Sequence, residues 1–123
     1  MSRNAASIHM HYKTGIITLN RTAASMLKIS DSKCYLSIFK DADTGDWYLK
    51  LSRDPSGFKL RVRDESGTYS FNSVKICRLL LQPRDNKQLK SGSFKISSTP
   101  VNYNGFDIHA IITSDPLNFT FLD

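Results

Sequence analysis

Residues 8–29, IHMHYKTGIITLNRTAASMLKI, align without a gap on residues 60–81, LRVRDESGTYSFNSVKICRLLL, at an offset of 52. Gly15 falls on Gly67, Asn20 on Asn72 and Leu27 on Leu79. The chemistry agrees more widely than the identities. Ile8 and Met10 fall on Leu60 and Val62, His9 and His11 on Arg61 and Arg63, Thr14 and Thr18 on Ser66 and Ser70, and Leu19 on Phe71. A chain of 123 residues carrying such a repeat reads as one domain, 1–123, whose two small halves share one core.

Each copy has the same physical reading. Apolar and cationic residues alternate with the period of two expected of a half-buried strand. Gly15 or Gly67 then supplies a turn residue that tolerates positive φ. A second short strand carries Ile17 and Leu19, or Tyr69 and Phe71. Asn20 and Asn72 stand where an N-cap belongs, because an Asn side chain accepts from an early helical N–H. Short helices are expected at about 21–28 and 73–81, with Ala23, Ala24 and Leu27, then Val74, Ile76, Cys77, Leu80 and Leu81, on their apolar faces.

A hairpin follows each helix: CYLSIFKD, the turn ADTGD and WYLKLSR, then SFKISSTPV, a turn at Asn104-Gly105 and FDIHAIIT. Pro100 belongs at a strand end, a bulge or an edge, since it cannot donate to a ladder. The linker is 82–92, QPRDNKQLKSG. The expected fold is therefore α+β and strand-rich: two tandem β-β-α-β-β units, 8–51 and 60–111, forming one antiparallel barrel-like or sheet domain with two short helices. A strand-like tail, 113–123, alternates Leu117, Phe119 and Phe121. It suits an intramolecular sheet edge or, alternatively, strand addition to a partner or a second copy.

Charge follows the repeat. Residues 1–30 carry four bases and no acid, 31–57 four and five, 58–90 eight and three, and 91–123 one and three, for a net charge of +6. A basic domain is drawn to polyanions, nucleic acid first among them. The stretch 47–63 concentrates that charge. If WYLKLSR and FKLRVR pair across DPSG, then Trp47, Leu49, Leu51, Phe58, Leu60 and Val62 face the core. The other side then presents Tyr48, Lys50, Lys59, Arg61 and Arg63, with Arg53 near the turn. Such a basic ribbon contacts phosphates and releases counterions. An ordinary solvated sheet face has the same composition. The candidate nucleic-acid-binding residues are Lys50, Arg53, Lys59, Arg61 and Arg63, with Lys13 and Arg21 from the first copy.

Residues 8–29, with KTGIITLNRTAASMLKI at their centre, resemble the AbrB and MraZ type of swapped-hairpin transcription factor, and the match runs through Asp31 and the hairpin to Leu51. The chain has Gly15-Ile16 and Leu19-Asn20 where that family has Gly-Arg and a proline after the second strand. The resemblance implies an internal pseudo-dimer barrel that binds DNA with basic residues near the Gly turns. SGTYSFNSVKICRLLLQ and TGIITLNRTAASMLK also look like the helix entry of transcriptional-coactivator and Whirly-type single-strand binders. That likeness makes Trp47, Tyr48, Tyr69 and Phe71 stacking candidates, although the alternation turns Trp47 and Phe71 inward.

Other chemistries find little support. His9 and His11 share a strand face, but zinc needs a third ligand and none is near in sequence. DADTGD opens like a calcium loop, but Ser52 stands where the twelfth-position glutamate belongs, so a polar turn is expected. Glu65 is the single glutamate, and no phosphate loop or nucleophile elbow occurs. The two cysteines, Cys34 and Cys77, read as partly or wholly buried thiols, with a structural disulfide as the minor reading. The expectation is a non-enzymatic, cytoplasmic protein without cofactor, metal or membrane span that contacts nucleic acid, DNA before RNA. A protein–protein interaction or assembly module using an edge strand, of the kind found among phage accessory proteins, is the alternative.

Overall fold

The computed structural model describes residues 5–29, 35–62, 67–114 and 116–122. The element order is β1 (Ser7–His11), β2 (Ile16–Leu19), α1 (Arg21–Leu27), β3 (Tyr35–Lys40), β4 (Trp47–Ser52), β5 (Phe58–Lys59), β6 (Arg61–Val62), β7 (Tyr69–Asn72), α2 (Val74–Leu80), β8 (Leu89–Ile96), β9 (Val101–Tyr103), β10 (Phe106–Ile112) and β11 (Asn118–Phe121). The main sheet path is β5-β3-β4-β10-β8-β1-β2-β7-β6, with β9 added to β10 and β11 to β8. All pairings are antiparallel. The two ends of the path, β5 and β6, are joined through Leu60, so the sheet curls into a nearly closed barrel.

Period-two alternation decides what faces inward. Ile8 and Met10, Ile17 and Leu19, Leu36, Leu49, Phe94 and Ile96 are buried in a single cluster, joined by Ala23 from α1 and by Ile76, Cys77 and Leu80 from α2. Each large side chain removed from water contributes about 1.5–3 kcal/mol of transfer free energy, which is why a sheet of short strands holds together. Asn20 caps α1, its side chain accepting from the Ala23 N–H at 2.8 Å. No helix among the described residues is long and apolar enough to cross a membrane.

The registers recur along the chain. In β1–β2, His9 pairs with Thr18 and Met10 with Ile17. The same pairs moved 52 residues on, Arg61 with Ser70 and Val62 with Tyr69, join β6 to β7. In β3–β4, Leu36 pairs with Leu51 and Tyr35 with Ser52. Moved 60 residues on, Ile96 with Ile111 and Lys95 with Ile112 join β8 to β10. Two contacts are centred on residues that correspond under these shifts: Thr18 with Ser70 between β2 and β7, and Leu49 with His109 between β4 and β10.

Several expectations need correction. The cap of α2 is Ser73, which accepts from the Ile76 N–H at 3.2 Å. Asn72 remains in β7, its backbone paired with Ile16. The last residues of the expected linker, from Leu89 on, belong to β8, where Gly92 lets Leu81 and Phe119 pack against bare backbone. The linker instead turns at Asp85 and Asn86, both at positive φ, between bridged Arg84 and Lys87. Val62 is 65% exposed because it ends a two-residue strand, and Val74, the first residue of α2, is 40% exposed.

Other expectations match. Asn104 and Gly105 both have positive φ between β9 and β10, as a two-residue hairpin turn requires. Pro100 sits in the unpaired interval between β8 and β9. DADTGD is a turn in which Asp41 accepts from the Asp43 N–H and Gly45 has φ 79°. The tail pairs within its own chain: Asn118, Phe119 and Thr120 lie opposite Ser93, Gly92 and Ser91, and the Ser91 and Thr120 hydroxyls stand 2.8 Å apart. Cys77 is a free, buried thiol. Burial pushes its pKa up to about 11, partly opposed by a hydrogen bond with the His11 backbone. Cys34 lies outside the described residues.

Candidate nucleic-acid interface

The stretches WYLKLSR and FKLRVR do not form a two-stranded ribbon. β3 stands between them, pairing with β4 along one edge and with β5 along the other. The turn after β4 carries the chain past β3 instead of folding it straight back. Gly57 permits this, because a Cβ there would lie 2.9 Å from the Leu36 carbonyl oxygen of β3.

The cations of β4 and β5 nevertheless share an outward face, now three strands wide. Lys50 lies opposite Ser37, and Lys59 lies opposite Tyr35, which also faces Ser52 on the other side. With Leu36 and Leu49 turned inward and fully buried, alternation directs Tyr35, Ser37, Phe39, Tyr48, Lys50, Ser52 and Lys59 outward. None of these carries a negative charge. Arg53 is exposed just beyond β4. The neighbouring Asp54 is held below the ordinary carboxylate range by backbone and side-chain hydrogen bonds from Ser56, with a smaller pull from Lys50.

The remaining candidates stand apart from this face. Arg61 projects from β6 opposite Ser70. Lys13 is exposed in the turn between β1 and β2, and Arg21 is the exposed first residue of α1. Arg63 lies outside the described residues.

Aromatic side chains extend the β3–β4 face toward β9 and β10. Phe39 stacks on Tyr48 with ring centroids 6.0 Å apart, and Tyr103 lies 5.9 Å from Phe39. The Lys50 ammonium sits 4.0 Å from the centre of the Phe106 ring, a cation–π contact. Tyr103 is 54% and Phe106 51% exposed. Behind the stack, a cavity of about 420 Å³ is lined by Phe39, Tyr48, Val101, Tyr103 and Ile108, with Lys40, Asp41 and Asp43 at the β3–β4 turn.

Of the four stacking candidates named from sequence, Tyr48 is on this face. Phe71 is buried against Phe58, ring centroids 4.9 Å apart, while Trp47 and Tyr69 pack against the core. Phe39, Tyr103 and Phe106 were not singled out. The signal for Phe39 was its shared alternation with Tyr35 and Ser37. Tyr103 and Phe106 flank the Asn104-Gly105 turn, but only the fold brings them beside β3 and β4.

The other outward surface is chemically different. Arg61, Ser70, Thr18, His9 and Ser93 form one row across β6, β7, β2, β1 and β8. His9 Nδ1 lies 2.6 Å from the Ser93 hydroxyl, and its ring meets His11 edge-on at 4.8 Å. Burial, and secondarily His11, holds the His9 pKa below its ordinary value of 6.5. No three metal-ligating side chains converge among the described residues. Comparison of the chain with protein-family models, with curated proteins and with solved structures finds no match.

Proposed function

We propose that this chain is a non-enzymatic nucleic-acid-binding protein whose outer β5–β3–β4 face neutralises phosphates, and that DNA is its first partner. The observation that carries the reading is the pair Lys50 and Lys59, astride β3 on one face with no carboxylate among the outward side chains of the three strands. Arg53 extends the positive charge past the end of β4. Polyanion binding by such a surface is driven by counterion release, is insensitive to base sequence and weakens steeply with salt.

The reading includes the architecture. The barrel is two β-β-α-β-β units about an approximate two-fold axis, with the second unit lengthened by eight residues after its helix. The support is the recurrence of pairs at a shift of 52 before the helices and 60 after them.

The test is an anisotropy titration of labelled DNA at several salt concentrations, with wild type and with Lys50, Arg53 and Lys59 together replaced by Ala. Each lost phosphate contact should lower the slope of log K against log salt by about 0.7–0.9. A slope unchanged in the triple variant would remove this face from consideration.

A further inference from the structure

The electrostatic reading leaves the aromatic end of the same face without a role. Tyr48, Phe39 and Tyr103 stand in series, the first two partly covered, while the two rings beside the Asn104-Gly105 turn, Tyr103 and Phe106, are about half exposed, which is costly for rings of that size. The floor of the cavity behind them is apolar, with Ile108 only 2% exposed. At one side lies Lys50, already over the Phe106 ring, with Lys59 two strands further on. At the other side lie Asp41 and Asp43, with Lys40 beside them. Those carboxylates repel a phosphate but accept N–H donors. A partner that satisfies both sides has a flat, uncharged, donor-bearing ring joined to a polyanionic chain.

We propose that this slot seats an unpaired base of a single-stranded nucleic acid, stacked on Tyr103, while its sugar-phosphate chain runs past Phe106 and over Lys50 and Lys59. The inference rests on the nucleic-acid reading above and adds a strand preference to it. In a duplex the bases are already stacked on each other and paired, so exposed rings on a sheet face cannot reach them without unstacking a step. In a single strand every base offers a π-face, and stacking on an aromatic side chain tolerates any sequence. A hydrophobic peptide fits less well, because the lysines on one side and the aspartates on the other would both lose hydration against it.

The experiment compares full-length wild type with Tyr103→Ala, Phe106→Ala and Lys59→Ala. Each is titrated against a labelled single strand, the same strand as a duplex, and an abasic strand of equal length. Tyr103 and Phe106 are exposed enough for the barrel to keep its melting temperature without either, which thermal unfolding checks. Wild type should prefer the single strand over both the duplex and the abasic strand by about tenfold. Tyr103→Ala should lose most of that preference with its salt slope unchanged, whereas Lys59→Ala should lower the slope and keep the preference. Equal binding of all three polymers by wild type, or a preference untouched in both aromatic variants, overturns the stacking inference and leaves the phosphate reading standing. Absence of binding to any of them overturns both.

Discussion

Residues 7–27, and residues 58–62 with 67–80, have matching strand pairing, yet their glycines and caps are held by different means. Gly15 and Gly67 both adopt positive φ, 75° and 84°. Gly15 is pressed against α2. Its carbonyl accepts from the Ser73 N–H at 2.8 Å, and a Cβ on it would lie 2.7 Å from both the backbone nitrogen and Cγ2 of Val74. Among the described residues, a Cβ on Gly67 would meet only the Arg21 side chain, at 3.5 Å and beyond. Gly15 therefore needs glycine for its angle and for space, whereas at Gly67 the described residues ask for the angle alone. A repeated glycine in sequence carries no record of that difference.

Alanine at each position should separate the two requirements. Gly67→Ala should cost about 1–2 kcal/mol, the price of a left-handed non-glycine residue. Gly15→Ala adds a clash with backbone that cannot swing aside, for a total of about 2–4 kcal/mol. Urea midpoints compared at constant m-value read both. Equal losses would mean that α2 moves away from the turn freely and that the close approach is incidental.

The caps differ in the same sense, with a smaller expected effect. Asn20 accepts from Ala23 at 2.8 Å and from the Ser7 N–H at 3.2 Å, and its Nδ2 donates to the Ala5 carbonyl at 2.8 Å, tying β1 to the start of α1. Ser73 accepts from Ile76 at 3.2 Å. Asn20→Ala should cost about 2 kcal/mol and Ser73→Ala about 1 kcal/mol by the same urea measurement. A reversed order would show that the bonds to Ser7 and Ala5 add nothing to the cap.

What could be read from sequence was what depends on near neighbours. Alternation placed Ile8, Met10, Ile17, Leu19, Leu49 and Phe71 on the core side, and Asn104-Gly105 marked its turn. The cap of α2 was misplaced by one residue because Asn72 and Ser73 are both good caps, and the choice depended on how far β7 pairs with β2. Strand partners were legible only where a tight turn dictated them. Residues 53–57 look like a hairpin turn, yet the chain crosses to the far edge of β3, since Tyr35 and Leu36 have a free side that Lys59 and Phe58 fill. That long-range choice decides the candidate face. It inserts Ser37 and Tyr35 between the lysines and brings Phe39 beside Tyr48, a juxtaposition that no local pattern contains.

The mildest contrast between the segments is one of titration. His9 in the first occupies the place that Arg61 holds in the second, each opposite a hydroxyl residue of the neighbouring strand. An arginine carries a fixed charge at any ordinary pH. His9 is half-buried against Ser93 and beside His11, so burial first and the second imidazole next lower its pKa below 6.5. The folded chain therefore binds this proton less readily than the unfolded chain. The stability that neutral His9 contributes is complete above the unfolded value of 6.5 and is lost as pH falls through the lower folded value. Urea midpoints measured downward from neutral pH should decline across that window, and His9→Gln, which keeps a polar partner for Ser93, should flatten the decline. If the variant declines as steeply as wild type, the acid sensitivity belongs to the carboxylates rather than to the imidazole row. The two segments would then differ in how their glycines and caps are held, and not in how their outer faces respond to protons.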